Sequence, residues 1–158
     1  MYLESMDLSV VLIFSLIYTP IINNQNLNLM ASKVFLLIDD DIDDHNFFVE
    51  AVSAVDSTAQ CLGAMDGEDG LSKLRADPQQ LPDYIFLDLN MPRMDGKSCL
   101  SEISKDGNLK NIPVIIFSTS SNPVDVMETR ELGASYYLVK PYDFNTLCKE
   151  INFVINKF

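Results

Sequence analysis

The feature that most constrains the fold is a set of short, uninterrupted apolar segments that alternate with segments of helical periodicity. Three of these apolar segments, Val34–Ile38, Tyr84–Leu87 and Val114–Phe117, carry no charged residue. A strand with one solvated face alternates polar and apolar residues, whereas a strand covered on both faces is apolar throughout. The pattern therefore predicts the buried strands of a parallel sheet.

Two weaker strands and five helices complete the alternation. We predict the strands at 59–64 and 135–139, and the helices at 43–55, 66–76, 97–104, 124–132 and from about 143 to the end of the chain. Strands that alternate with helices form a parallel sheet with helices on both faces. The predicted fold class is therefore α/β, a three-layer αβα sandwich around a five-stranded parallel sheet.

The first 32 residues do not continue this pattern. Their apolar stretch, Leu8–Ile17, is shorter than the roughly 20 residues of a membrane span. A secretory signal would place basic residues ahead of it, but the first basic residue is Lys33. We interpret residues 1–32 as an N-terminal extension outside a domain at 33–158. Translation from Met30, disorder, a weak membrane anchor and a helix docked on a partner are all open explanations of the extension.

The charge of the chain limits its partners. Eleven Lys and Arg residues stand against 23 Asp and Glu residues, which leaves a net charge of −12. Such a chain cannot present the dominant basic patch that nucleic acids require, so metal ions and basic protein surfaces are better matched. The three cysteines form no metal-binding pattern and are typical of reduced thiols in the cytoplasm.

Polar residues stand where the predicted strands end. They are Asp39, Asp40, Asp88, Ser118 and Lys140. Ligands of open parallel sheets bind at the carboxyl ends of the strands, so these side chains are expected to converge. Three carboxylates repel one another unless a cation lies among them, and oxygen ligands favour Mg²⁺ or Mn²⁺.

This set is suited to phosphoryl transfer. Asp88 is placed to attack phosphorus and form an acyl phosphate, with the Lys140 ammonium and the Ser118 hydroxyl contacting the phosphoryl oxygens. The acidic residues that follow the first strand have simpler interpretations. We expect Asp43 to be the N-cap of the first helix and to act with Asp44 on its dipole, and Asp41 to lie in a solvated loop. His45, the only histidine, is expected to be an ordinary residue of the first helical turn.

Four motifs resemble one known family. They are "LLIDDD", "IFLDLNMPRMDG", "IPVIIFSTS" and "GASYYLVKPY", and in this order and spacing they are similar to the receiver domain of two-component response regulators. The resemblance covers about Lys33 to Phe158. It implies a flavodoxin-like fold with strand order 2-1-3-4-5.

The resemblance also implies roles for the residues at the strand ends. Asp88 is expected to be the phosphoacceptor, and Asp39 and Asp40 the acidic pair that binds Mg²⁺ together with Asp88. The backbone carbonyl of Asn90 is expected to be a further metal ligand.

A second group of residues is expected to sense the phosphoryl group. Lys140 contacts it, Ser118 is the switch hydroxyl, and Tyr137 is the aromatic residue that turns inward on phosphorylation. The resemblance further implies a cis peptide bond between Lys140 and Pro141.

The function implied is that of a standalone receiver, a signalling protein rather than an enzyme. Its expected partners are a sensor histidine kinase or a histidine phosphotransfer domain, and a downstream protein or second copy bound through the fourth helix, fifth strand and fifth helix. No direct contact with nucleic acid or membrane is expected. A haloacid-dehalogenase-like phosphatase is an alternative, since such enzymes also use a strand-end aspartate with a second acid two residues later. A pseudo-receiver that binds partners without taking phosphate is another.

Overall fold

The structure, a computed structural model, describes residues 32–158 of the 158-residue chain. The extension predicted at residues 1–32 therefore lies outside the described residues, except for its last residue. Within the described part, every helix is too short or too polar to cross a membrane.

Five strands alternate with five helices along residues 32–158, as predicted. In chain order they are β1 (Val34–Ile38), α1 (Ile42–Val55), β2 (Gln60–Ala64), α2 (Gly67–Ala76), β3 (Tyr84–Leu87), α3 (Gly96–Lys105), β4 (Val114–Ser118), α4 (Pro123–Glu131), β5 (Tyr136–Val139) and α5 (Phe144–Lys157). The ends of these elements differ from the predicted ends by about one residue, the usual uncertainty of helix and strand boundaries.

The strands form one parallel sheet in the order β2-β1-β3-β4-β5, which confirms the predicted order. Every residue of β3 and β4 is buried, because both strands lie inside the sheet and are covered on both faces. The edge strand β2 is mostly exposed. This difference explains why the inner strands have continuous apolar sequences and β2 does not.

Each face of the sheet has its own core. The face covered by α1 and α5 is rich in aromatic rings, and the centroids of Phe48 and Phe86 lie 4.7 Å apart. The opposite face, covered by α2 and α3, is built from aliphatic side chains such as Ile38, Leu87 and Leu100. The two cores together hold the middle strands rigidly, which fixes the positions of the residues at the strand ends.

All five helices begin at an Asp or Asn cap whose side chain accepts a backbone N–H of the first turn. The caps are Asp41, Asp66, Asp95, Asn122 and Asp143. The expectation that Asp43 caps α1 and that Asp41 is simply loop was wrong. Asp41 has the extended backbone of a cap, and its carboxylate accepts the N–H of Asp43 at 2.8 Å. Asp43 and Asp44 lie in the first turn, where acidic side chains complement the helix dipole.

Candidate functional site

Three aspartates meet where β1 and β3 end. Asp39 and Asp40 follow β1, and Asp88 follows β3, whose end is tied to β1 by the bond from the Asp88 N–H to the Ile38 carbonyl (2.9 Å). One carboxylate oxygen from each of the three residues lies within 4.8 Å of the others. Asp39 and Asp88 are buried, with 1% and 5% of their surface exposed, whereas Asp40 is open to solvent. The predicted acidic group is therefore brought together at one sheet edge.

The carboxyl group of Asp39 is poorly neutralised by the protein. Burial raises its pKa above the usual value, and the contacts with Lys140 and the backbone N–H of Asp41 offset that rise only in part. Among the described residues, Asp39 Oδ2 is the one buried side-chain polar atom without a hydrogen bond, although Lys140 Nζ lies 2.8 Å away. Buried and exposed carboxylates that converge as oxygen ligands alone, with one ammonium among them, fit a hard divalent cation.

Lys140 reaches the same pocket from the end of β5. Its ammonium nitrogen lies 2.8 Å from Asp39 Oδ2, 2.6 Å from Asp44 Oδ2 and 3.7 Å from Asp88 Oδ1. Burial lowers the pKa of Lys140, but the contacts with Asp39 and Asp44 outweigh it, and the net pKa is raised. Lys140 is therefore a fixed positive charge between the carboxylates. The peptide bond to Pro141 is trans, like every peptide bond of residues 32–158, so the prediction of a cis bond was wrong. The trans form is favoured by about 0.5–1 kcal/mol even before proline.

The contact of Asp44 with Lys140 was missed by the sequence reasoning, which assigned Asp44 only to the helix dipole. The two residues are 96 positions apart. Since α1 begins directly after β1, the first turn of α1 lies at the same sheet edge as the end of β5. The strand order places β3 and β4 between β1 and β5, so it does not predict this contact, which needs the tertiary structure.

Ser118 is the last residue of β4, at the strand end as predicted, and Tyr137 lies within β5. Ser118 is fully buried, and its hydroxyl oxygen accepts the N–H of Ser120 at 3.3 Å. Tyr137 is half-buried and donates its hydroxyl to the carbonyl of Ser120 at 2.9 Å. Burial raises the pKa of the Tyr137 hydroxyl, which therefore stays protonated as a donor. Ser118 and Tyr137, the predicted switch residues, are thus both hydrogen-bonded to the backbone of Ser120.

The loop after β3 is shaped around Asp88. The N–H of Asn90 donates to Asp88 Oδ2 at 3.1 Å, which places the backbone of Asn90 beside the carboxylate. A Cβ atom on Gly96 would lie 2.1 Å from the Asp88 carbonyl oxygen and 2.8 Å from Leu89 Cα. The loop therefore closes against Asp88 only with glycine at 96. The glycine of the "MDG" motif was the sequence feature that could have indicated this, but the close approach of Gly96 to the Asp88 backbone was not predicted from it.

His45 also contributes to this edge. As predicted, it lies in the first turn of α1, but it is buried and its Nε2 donates to the carbonyl of Asp39 at 2.9 Å. The ring fits against Gly63, where a Cβ atom would lie 2.9 Å from it. His45 thus supports the backbone of Asp39, a structural contribution that its sequence position did not indicate.

The phosphatase alternative is not supported by the position of the second acid. A phosphatase of that class needs an acidic residue two positions after the nucleophile. With Asp39 as the nucleophile, that residue would be Asp41. The Asp41 carboxylate instead caps α1 and is exposed. The residue two positions after Asp88 is Asn90, which has no acidic group.

Comparisons with known proteins agree with this geometry. The family model for the response regulator receiver domain matches residues 35–152. Response regulator Rcp1 of Synechocystis sp. is 32% identical, over 75% of this chain and 84% of its own length.

Two solved structures share the fold. The phosphorylated cyanobacterial phytochrome response regulator RcpA matches with a TM-score of 0.71 and 30% identity, over 78% of this chain and 91% of its own. The Mn²⁺-bound form of response regulator Rcp1 matches with a TM-score of 0.69 and 30% identity, over 79% and 93%. The flavodoxin-like fold is thereby confirmed. With its strand order, its acidic pocket and the family match from 35 to 152, this chain belongs to the response regulator receiver domain family of two-component signalling.

Proposed function

We propose that Asp88 is the phosphoacceptor of this receiver and that it takes a phosphoryl group from the phosphohistidine of a sensor kinase or a phosphotransfer domain. Receiver domains are signalling proteins that histidine kinases phosphorylate. The observation that supports Asp88 is its position: a buried carboxylate beside that of Asp39, with the Lys140 ammonium 3.7 Å from its Oδ1. We also expect Asp88 to accept a phosphoryl group from small donors.

In the proposed step, a carboxylate oxygen of Asp88 attacks phosphorus. The bond between phosphorus and the donor imidazole nitrogen breaks, and its electron pair stays on the imidazole. Lys140 lies 3.7 Å from Asp88 Oδ1 and is placed to pair with the added negative charge. Asn90 holds the second oxygen, Oδ2, through its N–H, so the carboxylate is kept in one orientation.

The proposed metal ligands are Asp39, Asp40, Asp88 and the backbone carbonyl of Asn90. The all-oxygen donor set and the burial of Asp39 and Asp88 support Mg²⁺, with Mn²⁺ as a substitute. The solved Mn²⁺-bound form of the similar response regulator Rcp1 also supports a divalent cation at this site. When bound, such an ion neutralises charge on the phosphoryl oxygens.

We further propose that Ser118 and Tyr137 transmit the phosphorylation state. Their loop is held by polar contacts: the Ser120 hydroxyl donates to Asp125 at 2.6 Å, and Lys97 Nζ lies 2.7 Å from Asp125 and 2.6 Å from Glu128. These contacts join α3, α4 and the loop that Tyr137 binds. A shift of the Ser118 hydroxyl toward a phosphoryl group would disturb this loop and bias Tyr137 between two positions.

The proposed surface for a downstream protein or a second copy is formed by α4, β5 and α5. It contains a cavity of about 420 Å³ whose lining includes Val126, Arg130, Tyr136 and Tyr137. Because Tyr137 is part of that lining, a change in its position would alter the surface itself. This supports a partner whose affinity depends on phosphorylation.

Residues 1–32 are proposed to be an extension outside the receiver domain. The start of the family match at residue 35 supports this boundary. Location in the cytoplasm remains a prediction from the composition, as does the absence of direct contacts with nucleic acid and membrane.

The assignment of Asp88 is tested by labelling with acetyl phosphate and Mg²⁺. Wild type is expected to gain one phosphoryl group per chain, and Asp88→Asn is expected to gain none, as measured by intact mass spectrometry. Asp77→Asn is the matched control, since Asp77 ends α2 at the opposite edge of the sheet and is exposed. Labelling of Asp88→Asn at the wild-type level would refute the assignment.

A further inference from the structure

The Lys140 ammonium is shared by three carboxylates. Its nitrogen lies 2.6 Å from Asp44 Oδ2 and 2.8 Å from Asp39 Oδ2, but 3.7 Å from Asp88 Oδ1. A lysine ammonium is one compact positive charge, and its position is set mainly by the acceptors that it contacts most closely. The proposed phosphoacceptor is therefore the most distant of the three partners.

The close hydrogen-bond partner of Asp44 lies outside its own helix. It lies in the first turn of α1, where an acidic side chain could bond to the backbone N–H groups of that turn. Instead its Oδ2 accepts a hydrogen bond from Lys140. The side chain of Lys140 is 11% exposed and that of Asp44 is 33% exposed, so the pair is partly shielded from water. Asp44 also stands outside the acidic group of Asp39, Asp40 and Asp88.

Phosphorylation of Asp88 would change how these contacts are shared. An acyl phosphate carries more negative charge than the carboxylate it replaces, and that charge appears on the side of Lys140 that now has its longest contact. A contact of Lys140 with the phosphoryl oxygens would compete with its 2.6 Å contact with Asp44. The Asp44 carboxylate also repels those oxygens, so both effects oppose the phosphorylated state.

We propose that Asp44 is a positioning residue that holds the Lys140 ammonium away from Asp88 and thereby limits phosphorylation. The inference rests on the proposed function of Asp88 and deepens it. It assigns to α1 a part in setting how readily the receiver accepts a phosphoryl group. The charge of Asp44, and not the volume of its side chain, limits phosphorylation in this proposal.

The test compares charge-removing and charge-conserving variants of the full chain. With acetyl phosphate and saturating Mg²⁺, Asp44→Asn and Asp44→Ala are expected to raise the initial rate of labelling by about fivefold, the effect of a partly exposed ion pair worth about 1 kcal/mol. Asp44→Glu is expected to stay near wild type. Asp43→Asn is the matched control, because it removes the same charge from the same turn at an exposed residue.

Two further measurements separate positioning from a structural effect. Urea unfolding identifies any variant that is partly unfolded, which would lower labelling and not raise it. The ¹⁵Nζ resonance of Lys140, recorded without a phosphodonor, is expected to shift in Asp44→Asn and not in Asp43→Asn.

Labelling of Asp44→Asn that is equal to or slower than that of Asp43→Asn would overturn the inference. The failure of the proposed function looks different, because wild type and Asp88→Asn would then label alike. The same labelling experiment therefore distinguishes failure of the Asp44 inference from failure of the Asp88 assignment.

Discussion

Gly96 offers the sharpest test of how the loop after β3 is built. A Cβ atom at this position would lie 2.1 Å from the carbonyl oxygen of Asp88 and 2.8 Å from Leu89 Cα. Both neighbours are backbone atoms, so no side-chain rotation can relieve the overlap. The first turn of α3 must therefore move away from Asp88, or the end of β3 must move with it.

The cost of Gly96→Ala can be worked from these contacts. Overpacking costs about 1–3 kcal/mol, and a clash with backbone belongs at the upper end of that range. Alanine restricts the unfolded chain and returns about 0.4–1 kcal/mol. We therefore expect a net loss of about 2 kcal/mol in the free energy of unfolding, which corresponds to a fall in Tm of roughly 6–10 °C for a domain of this size.

Urea and thermal unfolding of the full chain measure this loss directly. Gly107→Ala is the matched control, because a Cβ atom there would meet nothing within 4 Å. It is expected to be as stable as wild type or slightly more stable. Folded Gly96→Ala should also label more slowly with acetyl phosphate, since Asp88 is displaced. If Gly96→Ala and Gly107→Ala unfold at the same urea concentration, the close approach does not exist as described.

Other predictions concern buried titratable groups. Burial raises the pKa of Asp39, so the folded state binds more protons than the unfolded state between the usual aspartate pKa and the raised value. The stability of wild type is therefore expected to fall as pH rises through that interval. In urea unfolding, the free energy of unfolding of Asp39→Asn should not fall across this pH range. Without metal at neutral pH, Asp39→Asn should be more stable than wild type, and a less stable variant would contradict the reasoning. Mg²⁺ at about a hundredfold excess over its Kd should stabilise wild type by about 2.7 kcal/mol and raise its Tm, with a much smaller rise in Asp39→Asn. Burial raises the pKa of the Cys99 thiol to about 12 and that of Cys61 to about 11. Iodoacetamide at mildly alkaline pH should therefore leave both thiols unmodified until urea is added, and mass spectrometry of digests would reveal early modification.

The fold was largely predictable because its strands differ in burial. The inner strands β3 and β4 are covered on both faces, and their sequences are continuously apolar for that reason. The edge strand β2 is mostly exposed and gave the weakest pattern, yet it was placed within about one residue of its position. The start of α1 was misassigned because Asp41 and Asp43 are equally good caps by residue type.

The sequence predicted which residues form the candidate site, but not which of them contact one another. Asp39, Asp88, Ser118 and Lys140 each follow a strand, and the ends of parallel strands must share one edge. Local periodicity carries no information about which residues meet across that edge. The Asp44 contact with Lys140, the bond from His45 to the Asp39 carbonyl and the clash-free approach of Gly96 to Asp88 all join separate segments.

The sequence by itself therefore determined the strands, the helices and the strand-end residues, since burial and hydrogen bonding within an element depend on neighbours a few positions away. Only the tertiary structure decided how the charges are shared. Lys140 pairs most closely with Asp44, 96 positions away, because its long side chain extends from β5 past the ends of the neighbouring strands to the first turn of α1. Electrostatic energies depend on distances in space, and those are set by packing and not by order along the chain.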